Sequence, residues 1–329
     1  MTTIFRDSDA DLGALDGQVV GVVGYGNQGR SWALNLRDSG LDPRVYVRGD
    51  ETRDQAVAEA FEAGSLEDAG EADVLCLLVP DDAIPALPFT PKPEALVIVA
   101  SGYSVAFERY RPDCDIALVA PRMIGPEVRT TYEEGIGFIT GVGVEQDRTG
   151  TAKARTLAIA SAIGGLKQGG IEMSAWQEAV LDLAVEQVLS PALRRVNLGF
   201  TQVMAEQGIP LEAILAELFL SGEVERTFRR LRLEGYAAQL QHHSPVSRYG
   251  QLSRATEFDE VDIISDMRRL VERITDGSFA DEWDAERDSG HPTLVQLEAD
   301  LSSGEFEQWE QEIRSRLGET SVPGHTPTP

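Results

Sequence analysis

The chain has 329 residues, 42% of them apolar, and a formal net charge of −26. That length and apolar share suit a globular protein of one large or two ordinary domains. The charge argues against nucleic acid or an anionic membrane as a partner, and no apolar run approaches the roughly 18 residues that span a bilayer.

The N-terminus, Met1 to Asp11, is acidic where a secretory leader would be basic and then apolar, so a cytoplasmic protein is expected. Residues 18–23 (Gln18-Val19-Val20-Gly21-Val22-Val23) are mostly apolar and lead into Gly24, as a buried parallel strand does. Residues 28–39 read as a helix with Trp32, Ala33, Leu34 and Leu36 on its apolar face, stopping before Gly40. Arg44–Val47 is the second strand, Ala56–Ala63 a helix, and Asp73–Val79 a third strand ending at Pro80. Leu96–Ala100, Ile116–Ala120 and Gly137–Val144 read as further strands. Strands alternating with short helices predict an α/β fold, a doubly wound parallel sheet of Rossmann type.

Cys76 and Cys114 fall in or beside these strands, and two buried thiols make no disulfide framework. No Cys/His cluster has zinc-ligand spacing. Past Gly169-Gly170-Ile171 the pattern turns helical, over 173–235 and again over 259–276. The expected organisation is a dinucleotide-binding domain over 1–172, an all-α domain over 173–318 and a disordered Pro/Thr/Gly-rich tail over 319–329. Only Lys92, Lys153 and Lys167 are lysines among the basic residues. Many carboxylates with few lysines suggest salt adaptation, where screening blunts self-repulsion. GC-rich codon bias also favours arginine but accounts poorly for the acid excess.

Gly24-Tyr25-Gly26-Asn27-Gln28-Gly29 follows a strand and opens a helix, the context that gives G-x-G-x-x-G its meaning. Gly24 permits the tight turn, Gly26 lets the backbone approach a pyrophosphate, and Gly29 allows close helix–strand packing. The diphosphate of NAD or NADP is expected on the amides at the helix N-terminus. The second strand ends in Arg48-Gly49-Asp50-Glu51-Thr52-Arg53. Acidic residues there favour the ribose hydroxyls of NAD and arginines the phosphate of NADP, so the charges leave both cofactors open.

The segment Gly24-Tyr-Gly-Asn-Gln-Gly-Arg-Ser-Trp-Ala-Leu-Asn-Leu-Arg-Asp-Ser-Gly40 closely resembles GYGSQGHAHALNLKDSG of the ketol-acid reductoisomerases. Asp9–Leu12 resembles that family's entry to the first strand. Ala120-Pro-Arg-Met-Ile-Gly125 stands where the family has A-P-K-x-P-G, with Val128-Arg129 following at the family's spacing. Asp182-Leu-Ala-Val-Glu186-Gln187 resembles D-L-F-G-E-Q, and Ser244-Pro-Val-Ser-Arg-Tyr249-Gly250 resembles S-N-T-A-E-Y-G. The resemblance spans roughly 5–315. It implies a Rossmann domain followed by a knotted helical domain that forms a homodimer or higher homo-oligomer. It also implies Mg²⁺- and NAD(P)H-dependent conversion of acetohydroxy acids in branched-chain amino acid synthesis.

Glu178, Asp182 and Glu186 are spaced four apart, which on a helix places neighbouring Cβ atoms about 5–6 Å apart on one face. On the residues alone a solvated acidic face is the stronger reading. Because Asp182 and Glu186 fall on the family's ligand positions, the resemblance implies Mg²⁺ there, a cation suited to carboxylate oxygens. Glu223 aligns with one of two further family ligands, while Phe219 stands at the other, with Glu217 and Glu225 each two residues away from the matching positions. Ser244 matches a serine that contacts the substrate carboxylate.

Two further positions depart from the family. Its catalytic histidine in A-H-G-F is Ser101 in Ala100-Ser101-Gly102-Tyr103, which can hydrogen-bond a substrate carbonyl but does not titrate near neutrality. Its lysine is Arg122, which keeps charge but not geometry. Ser101 and Arg122 are the candidate catalytic residues, and Gly24 to Gly29, Arg48, Asp50 and Gly125 the candidate cofactor contacts. His242 and His243 offer an alternative acid/base, although half-exposed histidines flanking a turn are the plainer reading; His291 and His325 read as structural or disordered. Three functions remain open: a reductoisomerase, a plain 2-keto acid reductase without the alkyl shift, and a non-catalytic dinucleotide-binding protein.

Overall fold

A computed structural model describes residues 1–317, so the expected tail and His325 lie outside the described residues. The chain divides into two compact units, Met1–Asp182 and Leu183 onward.

The first unit is built on nine strands: β1 (Ile4–Phe5), β2 (Val20–Val23), β3 (Arg44–Tyr46), β4 (Ala63–Gly64), β5 (Val74–Leu77), β6 (Leu96–Val99), β7 (Asp115–Pro121), β8 (Ile139–Gln146) and β9 (Gly169–Glu172). Its helices are α1 (Asn27–Asp38), α2 (Glu51–Ala58), α3 (Tyr103–Ala106), α4 (Gly125–Glu133), α5 (Ala152–Ala162) and α6 (Ala175–Ala184), whose last two residues pass into the second unit. The sheet order is β1-β9-β8-β7-β6-β5-β2-β3-β4. From β4 to β7 every pairing is parallel, with Val22 facing Val45 on one side and Cys76 on the other. The chain runs from β2 outward through β3 to β4 and returns to β5 on the opposite side of β2. That reversal opens a crevice beyond the carboxyl ends of β2 and β5, where open α/β sheets bind ligands.

The central strands are buried on both faces, as their unbroken apolar sequences require. Alternate residues feed two cores. Val22, Cys76 and Ile98 pack with Trp32, Leu36 and Ile159 on one face. Val23, Leu75, Leu77, Val97 and Val99 pack with Leu118 and Ala175 on the other. Cys76 and Cys114 are buried free thiols, and burial pushes them up to about 12 and about 11.

The fold departs from the expected pattern at several points. The sheet is not wholly parallel, since β8 runs antiparallel to β7 and β1 antiparallel to β9. Gly169-Gly170-Ile171, expected at the domain edge, lies in β9 and pairs with Ile4 and Phe5. The first unit extends beyond 172 to Asp182, because α6 buries Ala175, Glu178 and Ala179. The helix expected over 56–63 instead spans Glu51–Ala58. Asp50 caps its start by accepting from Thr52 N, and Ala60 enters the left-handed region at φ 65°, which ends it before β4.

The second unit is helical: α7 (Ser190–Glu206), α8 (Leu211–Leu215), α9 (Glu223–Glu234), α10 (Tyr236–Leu240), α11 (Pro245–Ser253), α12 (Ile263–Thr275), α13 (Ser278–Asp288), α14 (Pro292–Ser302) and α15 (Glu305–Leu317). The helix expected from 259 begins at Ile263, after Asp262 caps it through Ser265 N. Two π-helical turns, Val185–Leu189 and Ala216–Leu220, interrupt the α-helical period. Glu186 lies in the first, so the regular α spacing assumed for the carboxylate stripe stops at Ala184. Val196, Phe228, Leu233, Tyr236, Val246, Tyr249, Leu252 and Phe258 are all more than 60% exposed.

Candidate active site

Four strand ends and one helix start meet at the crevice. β2 leads into the glycine turn and α1. β5 leads through Pro80 to Asp81, β6 leads to Ser101 and β7 leads to Arg122.

The turn is a backbone device. Gly24 has φ 97°, and a Cβ there would stand 2.5 Å from the Leu78 carbonyl oxygen. A Cβ on Gly29 would stand 2.1 Å from the Gly24 carbonyl oxygen. Gly26 is different: a Cβ there would meet no heavy atom within 4 Å. Gly26 is also the N-cap of α1 and offers no side chain to its first amides. Unsatisfied amides at the positive end of a helix, beside open space, fit a dinucleotide pyrophosphate.

The side chains of the turn mostly face the protein. Tyr25, expected at the cofactor, is 3% exposed; its hydroxyl donates to Glu59 Oε2 at 2.5 Å and its ring meets Phe61 edge-on. Burial, then the Glu59 hydrogen bond, pushes its pKa upward. Arg30 clamps the same Glu59 through Nε and a terminal nitrogen at 2.7–3.0 Å, holding that carboxyl below its usual range. Gln28 donates to the Met123 carbonyl at 3.3 Å and accepts from the Trp32 indole at 3.2 Å. A Cβ on Gly125 would stand 2.7 Å from Asn27 Cβ, so Gly125 permits α1 and α4 to approach. Ser31 Oγ donates to the Gly125 carbonyl at 2.8 Å across the same contact.

The loop after β3 is sorted by the fold. Asp50 is engaged at the start of α2, accepting from Thr52 N at 3.1 Å and Thr52 Oγ1 at 2.5 Å. The Thr52 hydroxyl, more than Arg48, holds its pKa down. Arg53 donates to the Ala63 carbonyl at 3.1 Å. Arg48, 3.3 Å from Asp50, keeps an 81% exposed side chain.

The polar cluster lies on the other strand ends. Arg122 donates to Glu178 Oε1 at 2.7 Å and to Asp182 Oδ1 at 2.9 Å. The Glu178 side chain is 3% exposed, and its second oxygen accepts from Gly102 N at 2.7 Å. Burial raises the Glu178 pKa, against the opposing pull of Gly102 N and Arg122. Ser101 Oγ accepts from Tyr103 N at 3.3 Å. Asp81, which sequence reasoning passed over, is half-buried beside Ser101, and burial pushes its pKa up to about 6. The available signal was its place immediately after Pro80 at the end of β5.

The remaining expected residues lie in the second unit. Glu186 and Glu223 are exposed, the latter opening α9. Ser244 is exposed and caps α11, accepting from Ser247 N at 3.3 Å. His242 pairs with Glu234 at 2.6 Å, His243 with Gln239 at 2.8 Å, and His291 stacks on Trp283, consistent with structural roles. Among the described residues no three His, Cys, Asp or Glu gather as a metal cage. The Arg122 guanidinium already supplies positive charge to Asp182. A cavity of about 440 Å³ lies along β8 and β9, lined by Phe5, Lys153 and Leu157. It touches neither the glycine turn nor Arg122.

The family description "Acetohydroxy acid isomeroreductase, NADPH-binding domain" matches residues 14–169, and "Ketol-acid reductoisomerase, C-terminal domain" matches 176–319. The chain is 35% identical over 324 residues to a ketol-acid reductoisomerase (NADP(+)) of Caldivirga maquilingensis, covering 95% of this chain and 98% of that one. It is 33% identical over 302 residues to a ketol-acid reductoisomerase (NAD(P)(+)) of Metallosphaera sedula, covering 88% and 89%. A solved NADH-preferring ketol-acid reductoisomerase from an uncultured archean superposes with a TM-score of 0.86 at 27% identity, covering 96% of this chain and 100% of that one.

Proposed function

The chain belongs to the ketol-acid reductoisomerase family, and on that premise we propose an NAD(P)H-dependent reductase of acetohydroxy acids in branched-chain amino acid synthesis. The observation that carries the site assignment is the open, uncapped α1 N-terminus at Gly26, beside the strand ends holding Ser101 and Arg122. The first amides of α1 would hold the dinucleotide pyrophosphate, through backbone rather than the Tyr25 side chain, whose hydroxyl is engaged with Glu59. Arg48, with Asp50 occupied in its cap, favours the extra phosphate of NADPH. Once bound, the cofactor supplies a hydride to the substrate carbonyl. Ser101 donates a hydrogen bond to that carbonyl oxygen, and Arg122, steadied by Glu178, attracts the substrate's anionic end.

Mg²⁺ enters through the family pattern of Asp182 and Glu186, with Glu223, rather than through an assembled cage; its chemistry would be carbonyl polarisation. Ser244 is assigned to the substrate carboxylate on the same pattern. A homodimer is supported by the apolar residues that the second unit leaves exposed. No helix among the described residues is long and apolar enough to cross a membrane, and a cytoplasmic location accords with the proposed role. A second reading, reduction of a 2-keto acid without the alkyl shift, is favoured by the Arg122–Asp182 ion pair and by Ser101.

The test is oxidation of NADH and NADPH in high salt, with 2-acetolactate or a 2-keto-3-hydroxy acid, with Mg²⁺ or a chelator. Metal-dependent turnover of acetolactate supports the first reading. Turnover of the 2-keto-3-hydroxy acid alone selects the second, and cofactor binding without turnover of either rejects both.

A further inference from the structure

Of the three lysines in this strongly acidic chain, two are engaged: Lys92 pairs with Asp73, and Lys167 donates to the Gly135 carbonyl. The third, Lys153, is exposed on α5 and makes no hydrogen bond or ion pair among the described residues. Its ammonium lies over the Phe5 ring, 4.9 Å from the centroid. Lys153 lines the cavity of about 440 Å³ along β8 and β9, a volume within the range of small-molecule pockets.

Strand register builds this cavity. Val142 of β8 stands opposite Glu172, the last residue of β9, and Gly170 stands opposite Phe5 of β1. Residues directly opposite share a face of the sheet, as do residues two apart on one strand. Val142 and Phe5 pack with Leu157 of α5, so Val144 and Glu172 also lie on the face that α5 covers. On α5, Lys153, Thr156 and Leu157 sit three and four residues apart and share one side. β9 ends at Glu172 while β8 continues to Gln146. The chain then crosses to the opposite face, where a Cβ on Gly143 would stand 2.1 Å from the Met173 carbonyl oxygen. Val144 is left 38% exposed beside the gap.

We propose that this cavity is an effector site for a small aliphatic α-amino acid, and that its occupancy reaches the strand-end crevice through α6. Lys153 takes the carboxylate, Glu172 the ammonium, and Phe5, Val142 and Leu157 the aliphatic body. The Glu172 side chain makes no hydrogen bond or ion pair among the described residues. Asp147, the other carboxylate of the lining, is engaged by Gly150 N at 2.7 Å and Ala152 N at 3.4 Å. A lone cation and a lone anion beside an apolar floor match a zwitterion, whereas Glu172 repels a simple carboxylate. Ser174 and Gln177 form a further wall and cap each other at the start of α6: Ser174 N donates to Gln177 Oε1 at 2.9 Å, and Gln177 N to Ser174 Oγ at 3.2 Å. Between them, Ala175 abuts Gly102, where a Cβ would stand 2.1 Å from the Ala175 carbonyl oxygen. Gly102 N donates to Glu178 of the same helix at 2.7 Å. The first turn of α6 is therefore both a wall of the cavity and a support of Ser101 and Gly102. An effect on turnover rests on the reductase reading above; binding does not.

The test titrates the full chain with L-leucine by calorimetry, and a Kd below about 1 mM is expected. Lys153→Ala should weaken binding about 10–100-fold, and Val144→Trp, which fills the gap, should abolish it. Both variants should keep wild-type turnover in the absence of L-leucine. 4-Methylpentanoate, the same body without the ammonium, should bind wild type more weakly than L-leucine does, and Glu172→Gln should erase that preference. Trp176, in the first turn of α6, should change its emission on binding, and Trp176→Phe should lack the change. In the NAD(P)H assay, L-leucine should shift the KM for the keto substrate about fivefold or more. No binding, or binding indifferent to Lys153→Ala and Val144→Trp, overturns the site. Equal affinity for 4-methylpentanoate overturns the amino-acid assignment. Bound L-leucine that alters neither Trp176 emission nor turnover overturns the effector role. A wild-type chain that oxidises neither cofactor rejects the reductase reading, while calorimetry and Trp176 emission still decide this one.

Discussion

Gly26→Ala and Gly29→Ala separate a glycine kept for a ligand from one kept for the fold. At Gly29 a Cβ would stand 2.1 Å from a backbone oxygen and 2.8 Å from its carbon. Relief requires moving α1 away from β2 by more than an ordinary side-chain adjustment. Overpacking of this kind costs about 1–3 kcal/mol, or about 2–12 °C in Tm for a domain of this size. At Gly26 the same methyl meets nothing within 4 Å. The backbone there is extended at φ −77°, which alanine adopts. The weaker N-cap and the reduced freedom of the unfolded chain nearly offset, leaving less than about 1 kcal/mol. That methyl would nevertheless stand where the pyrophosphate approaches, and NADPH affinity should fall about 10–100-fold, or about 1.4–2.8 kcal/mol. Calorimetric Tm and a fluorescence titration of NADPH read the two effects separately. A Gly26→Ala chain that binds NADPH as tightly as wild type would remove the dinucleotide from this turn.

Four further outcomes follow from the same contacts. Arg122→Ala leaves the Glu178 carboxylate, 3% exposed, without its cation; a cost of about 3–5 kcal/mol is expected in denaturant unfolding. Asp81, raised to about 6, contributes stability that is complete below the ordinary aspartate range and is lost as pH rises through about 6. Asp81→Asn should therefore flatten the dependence of Tm on pH and exceed wild type at pH values well above 6, by at most about 3 kcal/mol. Tyr25→Phe loses the Glu59 hydrogen bond, so stability should fall by about 1–2 kcal/mol while NADPH affinity stays unchanged; a loss of affinity instead would restore Tyr25 as a cofactor contact. Arg48→Ala should weaken NADPH about tenfold relative to NADH, consistent with loss of one charge-assisted contact, and an unchanged ratio would show that another residue selects the cofactor.

The amino-acid sequence by itself determined the parallel core and the glycine turn, because both are local. Unbroken apolar runs such as Val74–Leu77 can only be buried on two faces, and Gly24, Gly26 and Gly29 are spaced for one kind of strand-to-helix turn. It also carried the family resemblance across both halves. Tertiary structure decided what each polar side chain is engaged with. Tyr25 and Asp50 belong to motifs that suggest a ligand, yet Glu59 and Thr52 occupy them. Glu59 comes from a segment whose approach no local pattern encodes, whereas Thr52 is the local cap partner of Asp50. Gly169–Ile171 reads as the edge of the first domain until Ile4 and Phe5 pair with β9 from the far end of the chain. Asp81 is an ordinary surface aspartate in sequence, and its pKa is raised by burial at the ends of β5 and β6 and then by the charge of Asp182 on α6. Burial and the approach of like charge are properties of three-dimensional neighbours, and they set a carboxyl's chemistry more strongly than its own identity does.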